Sequence, residues 1–283
     1  MRALGKNRID IMPVNSEQGP VSISHGTIAT SVALLVFLAM LAFLGDRWSA
    51  RFPPLPDFGS YQQAKEMKAA FIDYMSPIVE YHNEKILNER KRLEKIQKSI
   101  ETGNMHAYSE FKWLQQLANK YSVEWSDDEP IAVTQELLTK VDIVPVQLAV
   151  VQAAKESSWG RSRYAVQVNN LFGQWCYNKG CGVIPNERPK GARHEVRKFN
   201  SVSDATRSYI HNLNSHRNYS NLRKLRQELR TKGQTIKGDD LVDGLLLYSE
   251  RRQQYVDEIR SMIKQYSYFL EQQANSENVI KGV

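Results

Sequence analysis

The chain has 283 residues, 41% of them hydrophobic and 24% charged, with a formal net charge of +7 at neutral pH. That composition excludes a disordered polymer and leaves room for one sizeable core with an accessory region. The positive balance points to polyanionic partners, but there is no zinc-finger spacing, glycine-rich phosphate loop or aromatic RNA-binding signature, so no nucleic-acid partner is expected.

Residues 18–45 contain no Asp, Glu, Lys or Arg, and 32–44 form an unbroken apolar run. With its flank, 27–45 reaches the minimum length for a spanning helix, whereas the apolar core alone fits a signal-peptide h-region. Trp48-Ser49-Ala50 places a bulky side chain where a cleavage site wants a small one. A single-pass signal anchor in the inner membrane is therefore favoured over cleavage and secretion. Arg2, Lys6 and Arg8 put segment 1–26 in the cytoplasm by the positive-inside rule, although Arg47 and Arg51 on the far side weaken that assignment. Everything after Asp46 then faces the periplasm. Residues 46–59, with Pro53, Pro54 and Pro56, read as a stiff spacer.

Segment 60–125 has helical periodicity on two faces, Val79, His82, Ile86, Leu93, Ile96, Ile100 and then Phe111, Leu114, Leu117, Tyr121, broken at Thr102-Gly103-Asn104. A helical hairpin follows. The mixed charges of 84–98 fit a solvated face. A stalk, a packing scaffold and an autoinhibitory cover all remain open for this region.

Ser126-Asp127-Asp128-Glu129-Pro130 marks a polar boundary, so the next domain is placed at 126–271, followed by a polar tail at 272–283. Thr134 to Val141 reads as a short helix. A second helix begins at Pro145, and Val146, Ala149, Val150, Ala153 and Ala154 line one buried face, which puts Glu156 in its last turn. There the negative end of the helix dipole and apolar neighbours such as Trp159 disfavour the charged carboxylate. A carboxyl that keeps its proton suits a general acid. Between Cys176 and Asn200 the periodicity stops, and the alternation from His194 to Phe199 suggests a small β hairpin or lobe. Cys176 and Cys181 can close a short loop in an oxidising compartment or stand as free thiols; no metal site is implied. Periodicity resumes through Asp204 to Leu213, then Leu222, Leu225 and Leu229, then Tyr255, Ile259, Met262, Ile263, Tyr266 and Phe269. The fold class is mainly α with a small β lobe, a lysozyme-like α+β catalytic domain preceded by a transmembrane helix and a helical hairpin.

The run from Gln152 through Glu156-Ser157-Ser158-Trp159-Gly160, followed by Asn169-Asn170-Leu171-Phe172-Gly173-Gln174-Trp175, resembles the bacterial endo-β-N-acetylglucosaminidases of glycoside hydrolase family seventy-three. Similar order continues through Phe199, Ser203, Tyr209, Leu213, Tyr248 and Tyr255, so the resemblance covers about residues 130–270. It implies hydrolysis of the β-1,4 bond after N-acetylglucosamine in peptidoglycan glycan strands, with Glu156 as general acid and no cofactor. Protein partners are not implied. The second catalytic group lies between Glu187, whose distance before Phe199 resembles that of the family's lobe glutamate, and Glu195 in the strand-like stretch. A 2-acetamido substrate can also supply its own nucleophile. Tyr248 and Tyr209 resemble cleft tyrosines. Trp159, Phe172 and Trp175 offer aromatic platforms or core packing, and Asn169 and Asn170 brace the loop or reach the acetamido group. The stretch Tyr248-Ser249-Glu250-Arg251-Arg252 departs from the short Ala-Thr-Asp turn common in that family. A lytic transglycosylase and a non-catalytic wall-binding scaffold are the competing readings; the absence of Gly-Leu-Met-Gln disfavours the first.

Overall fold

The computed structural model describes residues 52–103, 108–186, 188 and 191–281, with side chains as far as residue 269. The expected cytoplasmic segment, the membrane segment 27–45 and Glu187 lie outside the described residues. Among the described residues no helix is long and apolar enough to cross a membrane.

Helix α1, Ala64–Glu101, is the longest element among the described residues and serves two cores. Its first half contributes Met67, Phe71, Ile72, Met75, Ile78 and Val79 to a large cluster shared with the helices that carry the site. Its second half contributes Leu93 and Ile96 to a smaller one, closed by Leu114 and Leu117 of α2, Tyr108–Tyr121, and by Val133 and Leu137 of α3, Pro130–Lys140. Region 60–125 is thus a packing element of the fold. The charged stretch 84–98 is mostly solvated, with Arg90 turned inward to Asp142. The proline-rich residues 52–59 lie against the core: Phe58 is buried, Phe52 and Leu55 pack on the cluster, and the Tyr74 hydroxyl donates to the Pro53 carbonyl at 2.9 Å.

Helix α4, Val146–Ser157, starts directly after Pro145 and is enclosed on nearly every side. The sequence suggests one buried face, but Leu148, Val151 and Gln152 are buried along with Ala149, Val150, Ala153 and Ala154. A helix lined by alanine and valine on several faces admits close neighbours all round, here α1 and α9. Asn83 of α1 fixes its entry with a pair of bonds, its side-chain amide donating to the Val144 carbonyl at 2.8 Å and accepting from the Val144 amide at 3.1 Å.

After α5, Arg163–Val168, comes the expected small β lobe. It is a three-stranded antiparallel sheet of β1, Trp175–Cys176, β2, Gly182–Val183, and β3, Glu195–Arg197, in the order β1-β3-β2. Trp175 faces Val196, Cys176 faces Glu195, and Gly182 faces Arg197. The chain returns through α6, Val202–Ser215, a 3-10 turn at Arg217–Tyr219, α7, Ser220–Thr231, the short α8, Gly238–Leu241, and a second 3-10 turn at Val242–Leu245. Helix α9, Gln253–Lys281, buries Tyr255, Ile259, Ile263 and Tyr266 and continues past Gln272, where the sequence suggests a frayed tail.

Candidate active site

The five residues from Glu156 to Gly160 form a turn whose composition is explained position by position. Ser158, Trp159 and Gly160 are successively left-handed, with φ of 53°, 60° and 78°. For residues with a Cβ that geometry costs on the order of 1–2 kcal/mol each, so the surroundings must hold it. The Ser157 hydroxyl donates to the Ala153 carbonyl at 2.6 Å and accepts from the Gly160 amide at 2.7 Å. The Trp159 amide reaches back to the Ala154 carbonyl at 2.7 Å. The Trp159 ring is wedged edge-on between Phe71 of α1 and Tyr266 of α9, with the Lys68 ammonium 5.2 Å from its centre. At Gly160 a Cβ would meet the Phe58 ring at 2.5 Å, so only glycine fits.

The turn leaves Glu156 at the end of α4, partly buried. Burial raises its carboxyl pKa above the usual range; a hydrogen bond from Tyr255 and the positive charges of Lys155 and Arg251 act in the opposite sense and do not overcome it. The tyrosine is the end of a directed chain. The Tyr209 hydroxyl donates to Gln152 Oε1 at 2.5 Å, Gln152 Nε2 donates to the Tyr255 oxygen at 2.9 Å, and Tyr255 donates to the Glu156 carboxylate. Because a side-chain amide has distinct donor and acceptor ends, Gln152 fixes the sense of the whole chain. Tyr209, Tyr219, Tyr248 and Tyr255 surround the carboxyl, and burial first, then neighbouring charge including Glu156, raises all four phenol pKa values, that of Tyr219 to about 12. All four remain donors at neutral pH.

The second motif supplies the opposite wall. Asn170 is buried and uses its whole amide: Nδ2 donates to the carbonyls of Gln174 and Arg197 at 2.8 and 2.9 Å, and Oδ1 accepts from the Phe172 and Gln174 amides at 3.4 and 3.0 Å. Asn169 ends α5 in a left-handed conformation and donates to the Phe199 carbonyl at 3.1 Å. This folds the loop so that the position a Cβ would take on Gly173, itself at φ 64°, lies 3.5 Å from Glu156 Oε2. A side chain there would stand against the carboxyl; glycine leaves that side open.

Of the residues expected to meet sugar, Trp175 is 53% exposed and stacks on His194 at 4.1 Å between ring centres. Tyr248 is half-buried, stacks on Tyr255, and donates its hydroxyl to the Phe172 carbonyl at 2.9 Å. Tyr209, Phe172 and Asn170 stand behind the site: the first two are buried and stacked at 4.0 Å. Trp159 plugs the turn. Glu195 is buried and accepts from the Gly180 and Gly182 amides at 3.0 and 2.9 Å, bonds that hold its carboxyl below the usual range. It clamps the loop closed by the Cys176–Cys181 disulfide. Those two sulfurs and the Glu195 carboxylate lie within 4.8 Å of one another, but the disulfide and the amide bonds occupy them, so the cluster is a structural brace.

A family model described as mannosyl-glycoprotein endo-beta-N-acetylglucosaminidase, or glucosaminidase, matches residues 131–268. Protein bax of Escherichia coli (strain K12) is 33% identical over 210 residues, which is 74% of this chain and 73% of that protein. The chain belongs to the glucosaminidase family. No solved structure gives a match.

The candidate site of this glucosaminidase contains residues that the sequence patterns did not single out. Tyr255 falls on the apolar stripe of the last helix, where a tyrosine reads as packing, and Tyr219 lies in a short turn without periodicity. Gln152 had a signal: it precedes Glu156 by four residues, so the two share a helix face. Lys155 and Arg251 are both ion-paired to Glu258 beside the carboxyl, which explains how the basic stretch after Tyr248 is accommodated here.

Proposed function

We propose that this glucosaminidase hydrolyses the β-1,4 glycosidic bond after N-acetylglucosamine in peptidoglycan, with Glu156 as the general acid. The observation that carries this reading is a carboxyl whose pKa is raised by burial, aimed by the Tyr255 hydroxyl, and open on the side of Gly173. Such a group can give its proton to the leaving oxygen as the bond breaks. Tyr255 then stabilises the carboxylate left behind, because its hydroxyl is already directed at that atom by Gln152.

Glu195 is left out of the acid–base pair, since both its oxygens accept backbone amides. Retention at the anomeric carbon would assign the second role to the substrate's own 2-acetamido group or to Glu187 as nucleophile, and inversion to a water activated by Glu187. The basic charge suits an acidic wall polymer. The segment at 27–45 is proposed as an inner-membrane anchor that leaves residues from 46 onward in the periplasm, where that polymer lies.

The test is digestion of purified sacculi. Wild type should release fragments with reducing N-acetylglucosamine ends, and Glu156→Gln should lose about 10²- to 10⁴-fold of that rate. Equal rates would end the assignment, and anhydro-muramic ends would make the enzyme a lytic transglycosylase.

A further inference from the structure

A cavity of about 330 Å³ opens between α1, α2, α6 and the strand β3, outside the tyrosine cluster around Glu156. Its walls are apolar: Tyr121, Phe199 and Ile210 are buried there, and Ile86 is partly so. Its rim is cationic, with Lys85, Lys120, Arg197 and Arg207 against two carboxylates. Both acids are already engaged. Glu89 takes Lys120 at 2.6 Å and the Tyr121 hydroxyl at 3.1 Å, and Asp204 takes Arg207 at 2.8 Å and the Ser201 hydroxyl at 2.9 Å. Lys85 and Arg197 are different. Among the described residues neither pairs with a carboxylate; Lys85 sits over the Tyr81 ring at 4.3 Å and Arg197 over Phe199 at 5.1 Å. Burial lowers the pKa of His82 to about 4 and lowers that of His211 as well, so both rings enter the cavity as neutral polar groups.

The cavity and the candidate acid share a wall. Gly173 borders Glu156, and the next residue, Gln174, accepts a hydrogen bond at 2.7 Å from Ser208, which lines the cavity. A ligand here needs carboxylates for the two unpaired cations and small apolar groups for the walls. Resting on the glycan-hydrolase reading, we propose that this cavity is a subsite for the short acidic peptide that branches from the glycan strand, with Lys85 and Arg197 as its carboxylate contacts. The arrangement gives the enzyme a preference for strands that still carry peptide.

Calorimetry of the full chain with the synthetic peptide L-Ala-γ-D-Glu-diaminopimelate-D-Ala tests this directly. Wild type should bind it and lose affinity with added salt. Lys85→Ala/Arg197→Ala should weaken binding at least about tenfold, the loss of one good charged contact or more, and Lys85→Arg/Arg197→Lys should restore it. Both side chains are exposed, and a melting curve checks that the variants fold; Lys85→Glu is the second variant should the pair fail. No binding by wild type, or equal binding by wild type and the alanine pair, overturns the proposal. In parallel, wild type should digest intact sacculi faster than sacculi stripped of peptide by an amidase, and the alanine pair should lose that difference. Equal rates on both would overturn the subsite while the hydrolase reading stands. If neither is cut, the hydrolase reading fails and calorimetry alone decides what the cavity binds.

Discussion

Replacing Asp142 with alanine should cost this fold more than any surface change, and the size of the loss follows from what surrounds it. The carboxylate is buried, accepts from Arg230 at 2.7 and 3.0 Å, and has Arg90 at 3.5 Å and Arg226 at 3.9 Å. Arg226 is 1% exposed and donates to the carbonyls of Thr139, Asp142 and Ile143 and to Asn214 Oδ1. Burial lowers its pKa to about 10, so it stays charged at neutral pH. Without Asp142 that buried charge has lost its counter-ion, a change worth about 3–5 kcal/mol. In a domain of this size the melting temperature should fall by roughly 6–20 °C. Asp142→Ala/Arg226→Met should lose less than the sum of the two single variants, because the orphaned charge is gone. For Asp142 itself burial acts to raise the pKa, but the Arg230 hydrogen bonds and then the charges of Arg226, Arg90 and Arg230 outweigh it, and the net direction is down. A depressed carboxyl contributes stability above its unfolded value, about 3.9, and loses it as pH falls through the folded value. Melting curves should therefore show a constant gap between wild type and Asp142→Ala near neutrality that closes in acid. A gap below about 1 kcal/mol, or strict additivity in the double variant, would refute the argument.

Tyr255→Phe removes the donor that favours the ionised form of Glu156, so the acid should hold its proton to higher pH. The alkaline limb of kcat/KM should move upward, while the unpaired Gln152 Nε2 lowers stability by about 1–3 kcal/mol; a limb that stays put or moves down would contradict the directed chain. Gly173→Ala places a methyl group 3.5 Å from Glu156 Oε2 at a positive φ. It should cost about 1–2 kcal/mol of stability and reduce kcat/KM on sacculi, and full activity would show that ligand does not approach from that side. Reducing the Cys176–Cys181 disulfide opens a short loop, worth about 2 kcal/mol by chain entropy, and should appear as a lower melting temperature with dithiothreitol.

Periodicity made the helices legible, since Leu93, Ile96, Leu114 and Leu117, or Ile259 and Ile263, sit at spacings only a buried helical face requires. It was silent on polar burial. Arg226 follows Leu222 by four residues on the same stripe, yet an arginine among Arg223, Lys224 and Arg230 reads as solvated until Asp142 and Asn214 are brought to it from elsewhere in the chain. At the site, the motifs contain Glu156, Ser157 and the Asn169-Asn170 loop, but the bracing by Ser157 is seen only in the structure. They did not distinguish residues that face a ligand from residues that hold those in place, because Tyr209 and Tyr248 have the same chemistry and differ only in exposure. Glu195 was ambiguous for a related reason: a three-residue strand has too little alternation to say which way it points. The cavity between α1 and α6 was invisible, being assembled from four separated segments.

The left-handed turn after Glu156 is pressed into shape by Phe58, Lys68 and Phe71, all of which precede residue 131, where the match to the family begins. A polypeptide trimmed to the matched segment would keep every letter of the motif and lose three of the side chains that enforce its conformation. The Glu156 turn in this protein is therefore not a transferable cassette. Its geometry is heritable only together with Phe58 and helix α1, so drift at Phe58 or Phe71 can distort the turn while its signature remains intact.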